Sequence, residues 1–340
     1  MKHIGMDVHS TTTDACVRNE KGVIVLHRRI ATKATELEKF ILSIKGQKRV
    51  VLEEDQMADW VTRVLEPLTD EVIRCQPRYN KLITGSEDKC DKVDAESLSE
   101  LLYLNRIKPV HHPDETYRTL REAVRAYWMA SRDLTRAKNR LKGWYLFNGV
   151  HEPGRTIYSI RNRSKHMNAL NKKKCNTKLA ELLYERVDTC RILKAKHIHV
   201  LRKAALPVKD LVELVTTIPA IGPIRGYSLV SLLEDGWRIP NKRKLWRYAG
   251  LSLRHHESRE IGFKGSSKTG NRILKQIVMS AATTIVAQGK HNQLLALWER
   301  DINQKVDPKR ARRNLARKIV VIAQHLLRSK QEYRDERIKV

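Results

Sequence analysis

The sequence predicts an α/β unit followed by an all-α body, within a basic chain of 340 residues. Three observations carry that prediction. Short β-branched runs, punctuated by Gly, Asn and Pro, fill roughly the first hundred residues. Beyond them, apolar residues recur at helical spacing over long stretches. The formal charge is +29, from 67 Lys and Arg against 38 Asp and Glu, and an excess of that size repels itself unless a polyanion neutralises it. Nucleic acid is the expected partner and a membrane surface the runner-up. The chain holds no run of about eighteen apolar residues and no signal-peptide pattern, so the expectation is a soluble, cytoplasmic protein without a membrane span. With 41% hydrophobic residues it can bury a core in two or three domains. The five cysteines (Cys16, Cys75, Cys90, Cys175, Cys190) are scattered without a C-x-x-C pair, which argues against a disulfide framework or a zinc ribbon and for reduced thiols.

The strands come first. HIGMDV at 3–8, TTDACVRN at 12–19 and VIVLHRRI at 23–30 read as a three-stranded meander with a turn at Asn19–Gly22. A helical stripe follows at 34–45, formed by Leu37, Phe40, Ile41 and Ile44. KRVVLEE at 48–54 is a strand entering two acids, a second helix is expected at about 57–68, and EVIRCQ at 71–76 is a strand stopped by Pro77. The order βββ-α-β-α-β is that of an RNase H-like mixed sheet with covered faces.

Within that frame the acids fall into a pattern. KCDKVDAESLSELLYL at 89–104 is a helix whose buried stripe is Leu98, Leu101 and Leu102, and Asp91 and Asp94, three apart, project from one face near its start. Asp91 or Ser86 also suits a plain helix cap. Strand parity sets Asp7 apart from Ile4, Met6 and Val8 and puts it beside the end of the next parallel strand, where Glu53 emerges. Glu54 is the alternative, since neighbours on a strand face opposite sides. Four converging carboxylates repel one another unless a divalent metal is bound. Oxygen ligands suit Mg²⁺ or Mn²⁺, and two such ions suit phosphoryl transfer.

The middle of the chain has a different character. Residues 113–147 (Leu120, Val124, Tyr127, Leu134, Leu141) and 177–206 (Leu179, Leu182, Leu183, Val187, Ile192, Leu193) are expected to pair as a long helical coiled-coil hairpin. The connection at 136–174 holds eleven Lys and Arg against one acid, Glu152, with Trp144, Tyr145, Phe147 and Tyr158 interleaved. Cations for phosphates and rings for unpaired bases suit RNA or DNA, with Arg140, Lys142, Lys172, Lys173 and Lys174 as candidates; a solvated charged loop is the plain alternative. KRARRNLARK at 309–318 adds further phosphate-binding charge.

GMDVHS, VVLEE, Pro77 and D-x-x-D-A at 91–95 resemble the N-terminal RuvC-like DEDD domain of the insertion-sequence 110/1111 transposases. LVTTIPAIGPIRGYSLVSLL at 214–233, LWRYAGLSLRHHESRE at 245–260 and GSSKTGNRILKQIVMSAA at 265–282 look like that family's C-terminal transposase domain, in the same order. The resemblance implies a RuvC-like catalytic domain at 1–112, a helical arm with a basic loop at 113–207, and a C-terminal transposase domain at 208–340. It implies Asp7, Glu53, Asp91 and Asp94 as ligands of two Mg²⁺ or Mn²⁺ ions. It also implies Ser258 as the recombination nucleophile, eight residues after Gly250. A serine hydroxyl needs activation, for which His255, His256, Glu257 and Arg259 are neighbours. I-P-A-I-G-P-I resembles a helix-hairpin-helix in which Gly222 brings the turn to a phosphate, with an ordinary interhelix turn as the plain alternative; relatives more often have Gly at the position of Ala220. Lys268 and Arg272, in K-T-G-N-R before a helix, suit a further phosphate clamp or, equally, a solvated helix cap. This chain departs from the family in having Leu253 where proline is common, Arg259 where glycine follows the serine, and Glu54-Asp55-Gln56 where Ala-Thr-Gly follows the glutamate. Donor and target DNA, a non-coding guide RNA, a site composed across protomers and a dimer or tetramer follow from the resemblance. Two rival classes are a Holliday-junction-resolvase-like endonuclease, which needs no serine, and a non-catalytic nucleic-acid-binding protein.

Overall fold

The computed structural model describes residues 1–76, 91–151, 155–256, 263–266, 269–290 and 292–337, with the side chains of 253–256, 263–266 and 337 left aside. The chain forms two compact units, Met1–His112 and Pro113–Val340.

In the first unit the meander is β1 (Lys2–Val8), β2 (Thr12–Arg18) and β3 (Ile24–Ala31), followed by α1 (Ala34–Ser43), β4 (Lys48–Glu53), α2 (Ala58–Leu65), β5 (Glu71–Cys75) and α3 (Asp91–Tyr103). They build a five-stranded mixed sheet of order β3-β2-β1-β4-β5, antiparallel across the meander and parallel from β1 to β4 to β5. Its topology is consistent with an RNase H-like domain. Alternation decides the two faces. Ile4, Met6 and Val8 pack with Val50 and Leu52 against Leu37, Phe40 and Ile41 of α1 and Val61 and Leu65 of α2. The opposite face receives α3, where Leu98 and Leu102 meet Val51 and Cys75. Gly5 permits this approach, because a Cβ there would lie 2.3 Å from the Ala95 carbonyl oxygen and 2.4 Å from the Ser99 nitrogen. The expected second helix is α-helical only to Leu65; Glu66–Leu68 tightens into a 3₁₀ turn around Pro67, which cannot donate to an α-helical bond.

The second unit is mainly helical: α4 (Glu115–Phe147), α5 (Arg163–Lys172), α6 (Thr177–Ala204), α7 (Lys209–Thr216), α8 (Pro223–Leu233), α9 (Lys242–Tyr248), the hairpin strands β6 (Leu253–His256) and β7 (Phe263–Ser266), α10 (Arg272–Gln288), α11 (Gln293–Asn303) and α12 (Pro308–Ser329). Asp114 and Asn176 cap the two long helices, each side chain accepting from a first-turn N–H. The helices run antiparallel. Leu120 and Tyr127 of α4 share the main core with Leu201 of α6, whereas Leu141 and Tyr145 share a separate small core with Tyr184 and Val187. The main core continues through Leu229 of α8, Ile277 of α10 and Ile319 of α12.

The basic connection departs from the expected loop. It contains the helix α5 and a 3₁₀ turn at Thr156–Tyr158, closed over Tyr145 by Ile157, His166 and Leu170. Only His166 and Leu170 are buried on α5, so its helical period is almost hidden beneath charge. Cys16 and Cys75 are buried, and Cys175 and Cys190 are half-buried. Among the described residues no helix is long and apolar enough to cross a membrane.

Candidate functional site

The acidic site is assembled by sheet register. Asp7 on β1 pairs with Asp14 on β2, which pairs with Arg29 on β3, so the three form a row across the sheet on the side that carries α3. Asp14 is buried, and Arg29 compensates it: Nε donates to both carboxylate oxygens at 3.2 and 2.9 Å, with Nη2 2.8 Å from Oδ2. The same Nη2 donates to Asp91 Oδ2 at 3.1 Å, tying the first residue of α3 to the row. His9 lies two residues beyond Asp7 and closes the cluster. Its Nε2 is 3.1 Å from Asp7 Oδ2 and 3.5 Å from Asp91 Oδ1. Asp7, His9 and Asp91 each offer a ligand atom within 4.8 Å of the others.

The electrostatics record crowding. Burial pushes the Asp7 carboxyl above its ordinary value, and Asp94 and Asp91 push it the same way against the opposing pull of His9. Asp7 in turn raises the His9 ring toward the imidazolium. Asp94 therefore acts on the site through its charge, although it is not among the three residues whose ligand atoms converge. Glu53 also stands outside that trio. It ends β4 on the Val51 face, one step past the Met6–Leu52 pair, and continued register brings it alongside Asp7. Glu54 belongs to the other side, where its carboxylate is 3.5 Å from Arg74 Nε, and Arg74 also donates to Asp59 of α2 at 3.1 Å. Thus Glu53, rather than Glu54, shares a face with Asp7.

His9, Asp14 and Arg29 are the residues that the sequence reading did not single out. His9 had a usable signal, since i and i+2 on an extended chain point the same way. Asp14 and Arg29 become partners only once the meander register is known.

Ser258 belongs to the connection between β6 and β7 and lies outside the described residues, as do Glu257, Arg259, Lys268 and Pro77. Strands β6 and β7 pair from Leu253–Ser266 to His256–Phe263. Just outside them Gly250 (φ +64°) and Gly270 (φ +123°) press together, and a Cβ on Gly270 would sit 2.6 Å from the Gly250 nitrogen. Asn271 N–H donates to the Tyr248 carbonyl at 2.7 Å, the Asn271 side chain caps α10, and Arg317 Nε donates to the Leu251 carbonyl at 2.8 Å.

Of the candidate phosphate ligands, Arg140, Lys172, Lys173, Lys174 and Arg272 are exposed and Lys142 is half-buried. Lys173 is also tethered, donating to the Gly149 carbonyl at 2.6 Å. Gly222 caps α8 in extended geometry, and a Cβ there would meet nothing within 4 Å. The position in this turn that favours glycine is instead Ala220, at φ +64°, whose carbonyl accepts from Arg225.

A mixed sheet with carboxylates gathered at the end of its central strand, joined to a strongly cationic helical body, is the layout of an enzyme acting on nucleic-acid phosphates. The comparisons make this specific. Residues 4–146 match the IS110-type DEDD transposase family, described as transposase, and residues 212–299 match the transposase IS116/IS110/IS902 family. The chain belongs to the IS110 family of transposases, enzymes that cut and recombine DNA. A search of curated proteins gave no match.

Proposed function

We propose that this transposase cuts and rejoins insertion-element DNA at the acidic cluster, with Ser258 as nucleophile and a non-coding RNA directing the choice of site. The observation that carries the proposal is the convergence of Asp7, His9 and Asp91 on the α3 side of the central strand, with Asp94 close enough to raise the Asp7 carboxyl.

The donor set fits Mg²⁺ or Mn²⁺. The cluster presents carboxylate oxygens whose mutual repulsion a divalent cation would relieve, and Asp7, Asp91, Asp94 and Glu53 are the proposed ligands of two ions. When bound, such ions polarise the scissile phosphate and stabilise the charge that develops on its oxygens. The chain's own groups do the rest. Arg29 holds Asp91 against the buried Asp14, and His9 screens Asp7 from Asp91. Ser258 attacks the phosphate and becomes esterified, the leaving DNA oxygen takes up a proton, and a second strand's hydroxyl later displaces the serine. His255 and His256, in the same block, are the candidate bases. Arg140, Lys142, Lys172–Lys174, Lys268 and Arg272 hold phosphates, the turn at Gly222 approaches another, and pairing to RNA leaves sequence choice to the guide. Recombining two duplexes calls for a homo-oligomer, a dimer or tetramer, working in the cytoplasm.

Full-length protein incubated with donor-end DNA and Mg²⁺ should give a denaturant-stable protein–DNA adduct whose peptide map ends at Ser258. Ser258→Ala should abolish the adduct, and Asp7→Asn or Asp91→Asn should lower strand cleavage by about 10²–10³-fold or more. Without metal, Asp7→Asn should melt higher than the wild type, because the raised Asp7 carboxyl means that its ionised form costs folding energy at neutral pH. Strand transfer retained by Ser258→Ala would replace the serine route with hydrolytic, resolvase-like cleavage.

A further inference from the structure

A second site lies in the helical unit. Between α9, α11 and α12 is a cavity of about 460 Å³, within the ~300–1,000 Å³ range of pockets that take small organic ligands. Its lining divides into two chemistries. Trp246, Leu297 and Val321 supply an aromatic and apolar wall, whereas Lys242, Arg300 and Lys318 supply positive charge and form no ion pair among the described residues. The one acid in the lining, Asp301, is engaged by the Asn314 amide at 2.9 Å. Arg317 is committed as well, with its guanidinium 5.3 Å from the Trp246 ring centre and its Nε on the Leu251 carbonyl.

Trp246 adds a further mark. Its indole N–H is buried and has no acceptor among the described residues, a rare state for a buried donor. A bare phosphate would leave the apolar wall unused, and a neutral aromatic molecule would leave the three cations unused. A nucleotide uses both. We propose that this cavity holds one unstacked nucleotide of a single-stranded nucleic acid, its base against Trp246, Leu297 and Val321 and its phosphates on Lys242, Arg300 and Lys318. The Arg317–Leu251 bond ties the cavity wall to the residues that open the Ser258 segment, so a nucleotide seated here is held at the base of that hairpin. The inference deepens the nucleic-acid reading above, but it concerns binding alone and does not depend on the acids or the serine.

The test uses the full chain in EDTA, with fluorescence anisotropy on labelled oligo(dT) and on an abasic oligomer of the same length and charge. Wild type should bind oligo(dT) about tenfold more tightly, the size of one base–aromatic stack. Trp246→Ala should bring that ratio toward one. Leu297→Trp, which fills the cavity without touching a cation, should do the same while keeping the wild-type melting midpoint. Lys318→Ala should weaken both oligomers about equally. Asp7→Asn and Ser258→Ala should keep the wild-type ratio, which separates this site from the catalytic proposal. Trp144→Ala, on the arm, should leave the Leu297-sensitive part of the ratio intact. The proposal is overturned if wild type shows no preference for bases, or if Trp246→Ala and Leu297→Trp both retain it. Equal competition by polyglutamate would also overturn it, marking a site for acidic chains in general.

Discussion

The acidic sheet end and the base of the Ser258 hairpin are built by opposite means. At the sheet end side chains do the joining: Asp7, His9, Asp91, Arg29 and Asp14 form a continuous run of charge contacts across three strands and a helix start. At the hairpin base the backbone does it, through Gly250 against Gly270, Asn271 N–H on the Tyr248 carbonyl, and one guanidinium on Leu251. A charge network can be retuned one group at a time, because each pair contributes separately and solvent shares the load. Two backbones in van der Waals contact leave no such latitude.

Substitutions at each region test that contrast. The largest effect is expected at Gly270→Ala, where the new methyl would meet the Gly250 backbone at 2.6 Å and φ is +123°. Overpacking together with backbone strain should cost about 3 kcal/mol or more, read as a fall in the melting midpoint of the helical unit. The Ser258 adduct should vanish with it, while Mg²⁺ should still shift the unfolding of Met1–His112. Loss of that metal response would show that the two regions are not independent.

A smaller, graded effect is expected at Arg29→Lys. Lysine keeps the charge but cannot bond both Asp14 oxygens and Asp91 through one planar fork. The Mg²⁺ concentration for half-maximal cleavage should rise about tenfold, as for other groups that orient metal ligands, with little change in the melting midpoint. A collapse in stability instead would place Arg29 among the rigid backbone-like supports.

The smallest effect is expected at Ala220→Gly, which should raise stability by about 1 kcal/mol in denaturant unfolding, since φ +64° costs alanine and not glycine. An unchanged midpoint would mean that the Arg225 bond to the Ala220 carbonyl already offsets the strain.

The same division explains what was legible in the sequence. The alternation Ile4, Met6, Val8 against Asp7 is a property of one strand, and it correctly separated the acid from the core. That Glu53, and not Glu54, shares the Asp7 face needed only the parity of β4 together with which face α3 covers. The Asp14–Arg29 pair was not legible, because it depends on the register of two hairpins and looks like ordinary strand charge when read along the chain. Helix α5 was hidden for want of apolar positions, and the Gly250–Gly270 contact joins residues whose meeting is a tertiary event. Ser258 took its candidacy from family resemblance alone, since nothing in the composition of a polar loop distinguishes one serine from the next.

A small core closes the tip of the α4–α6 pair. A helix of 33 residues is about 50 Å long, and Tyr145, Tyr184, Ile157 and Leu170 fasten its far end into a folded head. Lys172–Lys174 are therefore carried on a strut and not on a tether. Under the proposed function, charge at a fixed reach would measure its nucleic-acid partner, since ~50 Å corresponds to about 15 base pairs.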